Sequence, residues 1–383
     1  MRKWKQISAF CLAAALTVSG PAATAWAGSP EFARTPEEWS KLRDNVMEYD
    51  ELAGLIREYN VTVQKNQLDI NDKKKDDRIT SDQNAQYYRD AASDYRNMIT
   101  GDDPVSDASG AASANSAEAM ADNNVEDLQV YQLTYEQEEA NLVATAQSSM
   151  ITFFQQRYEL ESAKSSLEFA EAAYQSALVR QSAGMATQAD VLGALESVQS
   201  TQTSIDKLTS SVEETRQKLC VMLGWKYNDS PDILEIPAVN MERIAAMNPD
   251  TDKDSALGNS YTLKINKRKL ENAVGDITKQ TLNRTITSNE QNIGSDLTKR
   301  YRAVLQAKAA YDQADAEFAL ESKNMDTAQR KYDLGTLSKL DYLKQKNAYD
   351  TKNLAIKTAE LALFQAVQNY DNAVNGLAST GGL

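Results

Sequence analysis

Histidine is absent from this chain of 383 residues, and cysteine occurs only twice. Without histidine there is no histidine metal site, no Ser-His-Asp triad and no Cys-His dyad. Lysines and carboxylates remain for acid–base work, and the sequence argues against an enzyme. Proline (7) and glycine (15) are sparse, and aromatic residues make up 7%. So few breakers among abundant Ala, Gln, Glu, Lys and Leu point to long helices rather than sheet. No Gly-x-x-x-x-Gly-Lys phosphate loop occurs, and no cofactor or metal is implied. Acidic residues outnumber basic ones 55 to 41, a net charge of −14. That balance repels nucleic-acid phosphates, so no nucleic acid is expected as a partner. The acid excess either solvates outer faces or lines an interior that favours cations.

The one long apolar run lies at the start. Arg2, Lys3 and Lys5 precede Ile7 to Val18, and small residues end in Ala25-Trp26-Ala27 ahead of Gly28. This is the form of a cleavable signal peptide over residues 1–27. The run is too short for a permanent membrane span. Cys11 follows Phe10 inside it, which argues against lipidation. Cleavage would remove three positive charges, taking −14 to −17, and would leave Cys220 as the only cysteine. An exported chain of this kind forms no internal disulfide.

Thr35-Pro36-Glu37-Glu38 has the form of a capping box, and a helical region is expected from there to about Asn97. Residues 99–124, rich in Ala, Ser, Asp and Asn, read as a flexible loop. From Val125 to Gln181 there is neither Pro nor Gly, which predicts one helix about 80 Å long. A second long helix runs from about Gln188 to Leu223 and stops at Gly224. Residues 226–259, with Pro231, Pro237 and Pro249, form a connector, and the helical pattern resumes from Tyr261 to the end.

Two seams repeat every seven residues. Val191, Ala194, Val198, Thr201, Ile205, Leu208, Val212, Thr215, Leu219 and Met222 are spaced three and four apart without a slip. Tyr349, Lys352, Ile356, Ala359, Leu363, Ala366, Tyr370, Ala373 and Leu377 repeat the pattern. This is the period of left-handed coiled coils. The segment from Gln181 to Leu192 also matches that from Tyr332 to Leu343, and the same offset of about 151 carries Val198 onto Tyr349 and Val212 onto Leu363. Each segment holds Gly, a hydroxyl residue three later and Asp three after that: Gly184, Thr187, Asp190 and Gly335, Ser338, Asp341. Physically this is a helix reversal. Gly ends one helix in a left-handed conformation, and the hydroxyl residue caps the next, with Asp in its first turn.

The repeated Gly-x-x-[ST]-x-x-Asp turns between long helices resemble the TolC-type outer-membrane efflux family, over about residues 45–377. The resemblance implies an all-α protomer of long antiparallel coiled-coil hairpins in two repeats, residues 28–225 and 260–383 around the 226–259 connector. It implies a homotrimer closing a twelve-helix tube, with a periplasmic adaptor and an inner-membrane transporter as partners. The tips, Gly184, Met185, Thr187, Asp190, Val191 and Leu192 with Gly335, Leu337, Ser338, Asp341, Tyr342 and Leu343, then form the adaptor-docking surface and the aperture. The implied location is the cell envelope: outer membrane and periplasm in a two-membrane cell, the surface in a one-membrane cell.

The chain also departs from that family. Each relative carries four barrel strands per protomer, and a membrane strand needs alternating apolar residues with aromatic girdles. Residues 99–124 hold one valine and no aromatic, and between Leu282 and Leu297 only Thr285-Ile286-Thr287 hints at a strand. Little or no β-barrel is therefore expected. Leu337 and Lys344 stand where relatives place an arginine and an acid, so their charged latch does not carry over. Two functions follow from these readings: a passive export conduit for efflux or type I secretion, or a structural coiled-coil protein of the cell surface without transport.

Overall fold

Capping chemistry sets the helix boundaries. In the computed structural model, which describes residues 34–381, Thr35 Oγ1 accepts from Glu38 N and the Glu38 carboxylate accepts from Thr35 N, opening α1 (Pro36–Leu42) with the expected capping box. There follow β1 (Val46–Met47), α2 (Leu52–Tyr59), α3 (Val61–Lys75), α4 (Ser81–Asn97) and α5 (Pro104–Asp122). The first long pair is α6 (Leu128–Ser182) and α7 (Gln188–Met222). The connector holds β2 (Asp232–Ile233), α8 (Met241–Ala246) and α9 (Pro249–Asn259). Then come α10 (Tyr261–Asn272), α11 (Asp276–Asp333) and α12 (Lys339–Asn372). Of the described residues, 82% are helical. Among the described residues the only strands are β1 and β2, which pair in parallel, Val46 with Asp232 and Met47 with Ile233. The expected signal segment, residues 1–27, lies outside the described residues.

The long helices pack side by side in the order α7, α6, α12, α11. Both heptad seams account for this. Along α7 every seam residue is buried or half-buried, from Val191 through Ile205 to Leu219, while the flanking positions are largely exposed. Helix α12 is central and packs on two sides, against α11 and α6. Helices α3 and α10 also lie along α6. Asn60, the N-cap of α3, donates to the Met222 carbonyl at 2.9 Å, and Asn259 donates to the Val374 carbonyl at 3.0 Å. Thus α3 stands on the end of α7, and α10 on the end of α12. The wall has four tracks: α7 with α3, then α6, then α12 with α10, then α11.

A belt covers one face of this wall at mid-height. Trp39, Met47, Leu52, Leu55 and Ile56 pack on Met150, Phe153, Phe154, Leu219 and Phe364. Ile244, Met247 and Ala256 pack with Ile293, Leu297, Val304, Leu363, Val367 and Tyr370. Burial of these side chains is worth about 1.5–3 kcal/mol each and fixes the belt to the tracks.

Three expectations need correction. Residues 99–124 are no flexible loop: 104–122 form α5, capped by Asp103 and entered through Pro104, and α5 packs on α4 as a helical hairpin. Its interface is nearly all alanine, with Ala85 and Ala92 facing Ala114, Ala117 and Ala121. Alanine has the best helix propensity, and its small side chain lets helices approach closely, so a segment poor in large apolar residues still folds. Residues 35–97 are several short helices with a strand, because the belt needs corners. From Tyr261 onward the helix is broken at residues 273–275, and Thr285-Ile286-Thr287 is helical, within α11.

Candidate functional site at the helix-turn tips

Both reversals are built alike. At the end of α6, Gly184 adopts φ +70°, its N–H donates to Gln181 O at 2.9 Å, and Met185 N donates to Arg180 O at 2.7 Å. At the end of α11, Gly335 also has φ +70°, its N–H donates to Tyr332 O at 2.9 Å, and Thr336 N donates to Lys331 O at 2.8 Å. This is the Schellman pattern, in which a left-handed residue satisfies the last carbonyls of the helix. Thr187 then caps α7, accepting from Asp190 N at 3.2 Å, while Asp190 accepts from Thr187 N at 2.7 Å. Those bonds from Thr187 hold the Asp190 carboxyl below the usual aspartate range. Ser338 caps α12, accepting from Asp341 N at 3.1 Å and donating its hydroxyl to Asp341 at 2.7 Å.

The structure brings the two turns to one end. Ser166 meets Asn347 at 2.8 Å and Ser148 meets Gln365 at 2.9 Å, so α6 and α12 run antiparallel. At that register α12 starts about eight residues before α6 ends. The first tip therefore projects about 12 Å past the second. Of the residues singled out in the sequence, Gly184, Met185, Thr187, Asp190, Leu192, Gly335, Ser338 and Asp341 are exposed. Val191 and Leu343 are buried in the hairpin seams, and Leu337 and Tyr342 are half-buried. The four groups with exposed polar chemistry thus cap helices while facing outward, and Val191 and Leu343 serve packing.

Several tip residues escape a reading by motif. Tyr332 stacks on Tyr342 with ring centroids 4.6 Å apart, and Tyr342 Oη donates to Gln329 at 2.7 Å. Thr336 Oγ1 donates to Lys331 O at 2.9 Å, and Leu334 is exposed. The hairpin register pairs Tyr332 with Tyr342, a contact that the spacing of the motif does not reveal. Among the described residues, no group of three His, Cys, Asp or Glu could hold a metal ion, and no helix is long and apolar enough to cross a membrane.

Two coiled-coil hairpins lie side by side with tips together, a belt at mid-height and short helices continuing two tracks, and the chain as a whole superposes on solved structures. The outer membrane protein VceC of Vibrio cholerae superposes with a TM-score of 0.57 at 9% identity, over 86% of this chain and 96% of that one. The Campylobacter jejuni CmeC outer membrane channel gives 0.57 at 9%, over 93% and 92%. The fold is that of the TolC-type outer-membrane channels. CusC, a protein that forms a transmembrane channel, has the same TolC-type fold, with a TM-score of 0.53 at 11% identity over 86% of this chain and 92% of that one. No family model matches the sequence, and no curated protein does. At identities of 9–11% the likeness to these TolC-type channels is one of fold.

Proposed function

We propose that the chain is one protomer of a TolC-like export conduit, an exported homotrimer of the cell envelope that performs no chemistry. Its tips dock a periplasmic adaptor, and through the adaptor an inner-membrane transporter, for efflux or type I secretion. The observation that carries this reading is the open wall. Helix α6 and helix α12 each have a long neighbour on both sides, whereas α7 and α11 have one each. A layer with two free edges buries them by closing into a ring of copies. The conduit function also fits the exposure of Asp190 and Asp341 at one end of that layer.

The test is made at those two residues. Asp190→Lys or Asp341→Lys should abolish adaptor binding or export while circular dichroism and oligomer state stay as in the parent. Gln199→Lys, on the exposed side of α7, is the charge-matched control and should export normally. Export that survives both Asp changes would reduce the tips to turns and favour a structural coiled-coil protein of the cell surface.

A further inference from the structure

The two free edges of the wall carry exposed apolar side chains, and cross-helix contacts fix their heights. On the α7–α3 edge these include Leu192 (55% exposed), Val221 (59%) and Val61 (59%). On the α11 edge they include Leu305 (45%), Leu320 (63%) and, at its end, Leu334 (78%).

Thr215 of α7 donates its hydroxyl to Gln156 Oε1 of α6 at 2.8 Å, so Val221 lies level with about residue 150 of α6. Lys352 of α12 donates to Glu317 of α11 at 2.7 Å, and Gln365 of α12 donates to Ser148 of α6 at 2.9 Å. These two contacts place Leu305 level with about residue 149 of α6. Asn66 of α3 donates to Glu138 of α6 at 2.7 Å, which puts Val61 within about 10 Å of that height. At the tips, Tyr342 meets Gln329 at 2.7 Å, and Leu334 comes level with about residue 177 of α6. Leu192 lies level with about residue 179. Leu320, by contrast, is level with Asp206 and Lys207 of α7.

We infer that a second copy of this chain covers these side chains, with Leu305 of one protomer seated against Val221 and Val61 of the next and Leu334 seated against Leu192. The inference rests on the ring proposed above. In any cyclic ring the two unlike edges must meet each other. Nothing in ring closure alone requires exposed apolar groups on unlike edges to share heights, and here they do so at two levels about 40 Å apart. The upper contact also covers the junction where α3 stands on α7. Val221 precedes the end of α7 and Val61 begins α3, so Leu305 spans the one break in that track.

Cysteine pairs test the register in the full mature chain with Cys220→Ser. Val221→Cys with Leu305→Cys, and separately Leu192→Cys with Leu334→Cys, should give a covalent ladder up to the trimer on a denaturing gel after treatment with a short bis-maleimide. Mixing chains that each carry one cysteine of a pair should give crosslinked dimers. Absence of crosslinks in an oligomer shown intact by light scattering would overturn the inference and leave the ring standing. A chain that stays monomeric would overturn both. As a second arm, Leu305→Asp should weaken oligomerisation about 30-fold or more, with helicity retained. Leu320→Asp should change it less than about threefold. Equal effects of the two would also overturn the inference.

Discussion

Ser166 of α6 donates its hydroxyl to Asn347 Oδ1 of α12 across 2.8 Å, at the seam where the two hairpins meet. Its neighbours there are of the same kind. Ser165 donates to Asp350, Lys346 pairs with Glu168 at 2.6 Å, and Gln365 donates to Ser148. Within each hairpin, buried apolar side chains line the seam, Val191, Ile205 and Leu219 on α7 and Leu343 and Leu363 on α12, beside polar pairs such as Thr215–Gln156 and Lys352–Glu317. Toward the tips the hairpins are therefore joined by polar contacts, whereas at the belt Phe364 of α12 packs with Met150 and Phe154 of α6.

That contrast predicts an uneven mutational map. Asn347→Ala and Ser166→Ala should each cost about 1 kcal/mol, since water replaces the partner in a half-buried seam. Leu343→Ala should cost about 2–4 kcal/mol through lost burial and an unfilled gap. Urea unfolding of the three variants checks this. Equal costs would show the seam between hairpins to be as tightly packed as the seams within them.

Glycines divide the same way. Gly184 and Gly335 have φ +70° with open space where a Cβ would sit, so Gly335→Ala meets only backbone strain of about 1–2 kcal/mol. Gly224 and Gly376 have positive φ and no room. A Cβ at Gly224 would lie 2.3 Å from Tyr59 Cβ, and one at Gly376 would lie 2.7 Å from Asn259 O. Gly376→Ala should therefore cost about 3 kcal/mol or more, as strain adds to overpacking at the α10–α12 junction. Thermal unfolding ranks the pair, and a larger loss at Gly335 would contradict the geometry.

How much of this was legible follows from what each element packs against. Seams such as Val191 to Met222 bury large side chains at a fixed period, and period is readable. The two reversals were readable because Gly, hydroxyl and Asp each have one physical task there. The stacking of α3 on α7 was not, since it depends on a single amide, Asn60 to Met222 O, between residues far apart in sequence. Helix α5 is not legible because its packing uses alanines, which in sequence look like linker. The tip side chains were placed by motif, but whether they face outward depends on hairpin register, which only coordinates give.

The α4–α5 hairpin carries a prediction opposite to that for a loop. Asn84 is fully buried at its base, donating to Asn124 Oδ1 at 3.0 Å and to Glu126 O at 3.2 Å, and accepting from Arg78 Nε at 3.0 Å. Deleting residues 103–122 removes the helix that covers Ala85 and Ala92. Circular dichroism should then lose the signal of α4 as well as that of α5, 17 and 19 residues respectively. Asn84→Ala should cost about 2 kcal/mol, because three polar groups lose a partner away from water. A deletion that loses only the signal of the residues removed would restore the loop.

The last prediction concerns acid. Glu213 on α7 bonds Arg216 at 2.6 Å, and that bond holds the Glu213 carboxyl down to about 2. Arg216 in turn donates to the Asp229 carbonyl and lies 3.7 Å from Cys220 Sγ, tying the connector over the buried thiol. A carboxyl depressed in the folded state contributes stability above its ordinary value near 4.5. That contribution fades as pH falls from there to about 2. Glu213 is half exposed, so solvent screening keeps the contribution below about 1 kcal/mol, and the effect should be local. Cys220 should label faster with 4,4′-dithiodipyridine, which reacts with thiols in acid, as pH falls from 5 to 2.5. In Glu213→Gln, labelling should be fast throughout and nearly flat over that range. Matching profiles for the two proteins would mean that Arg216 holds the connector without help from Glu213.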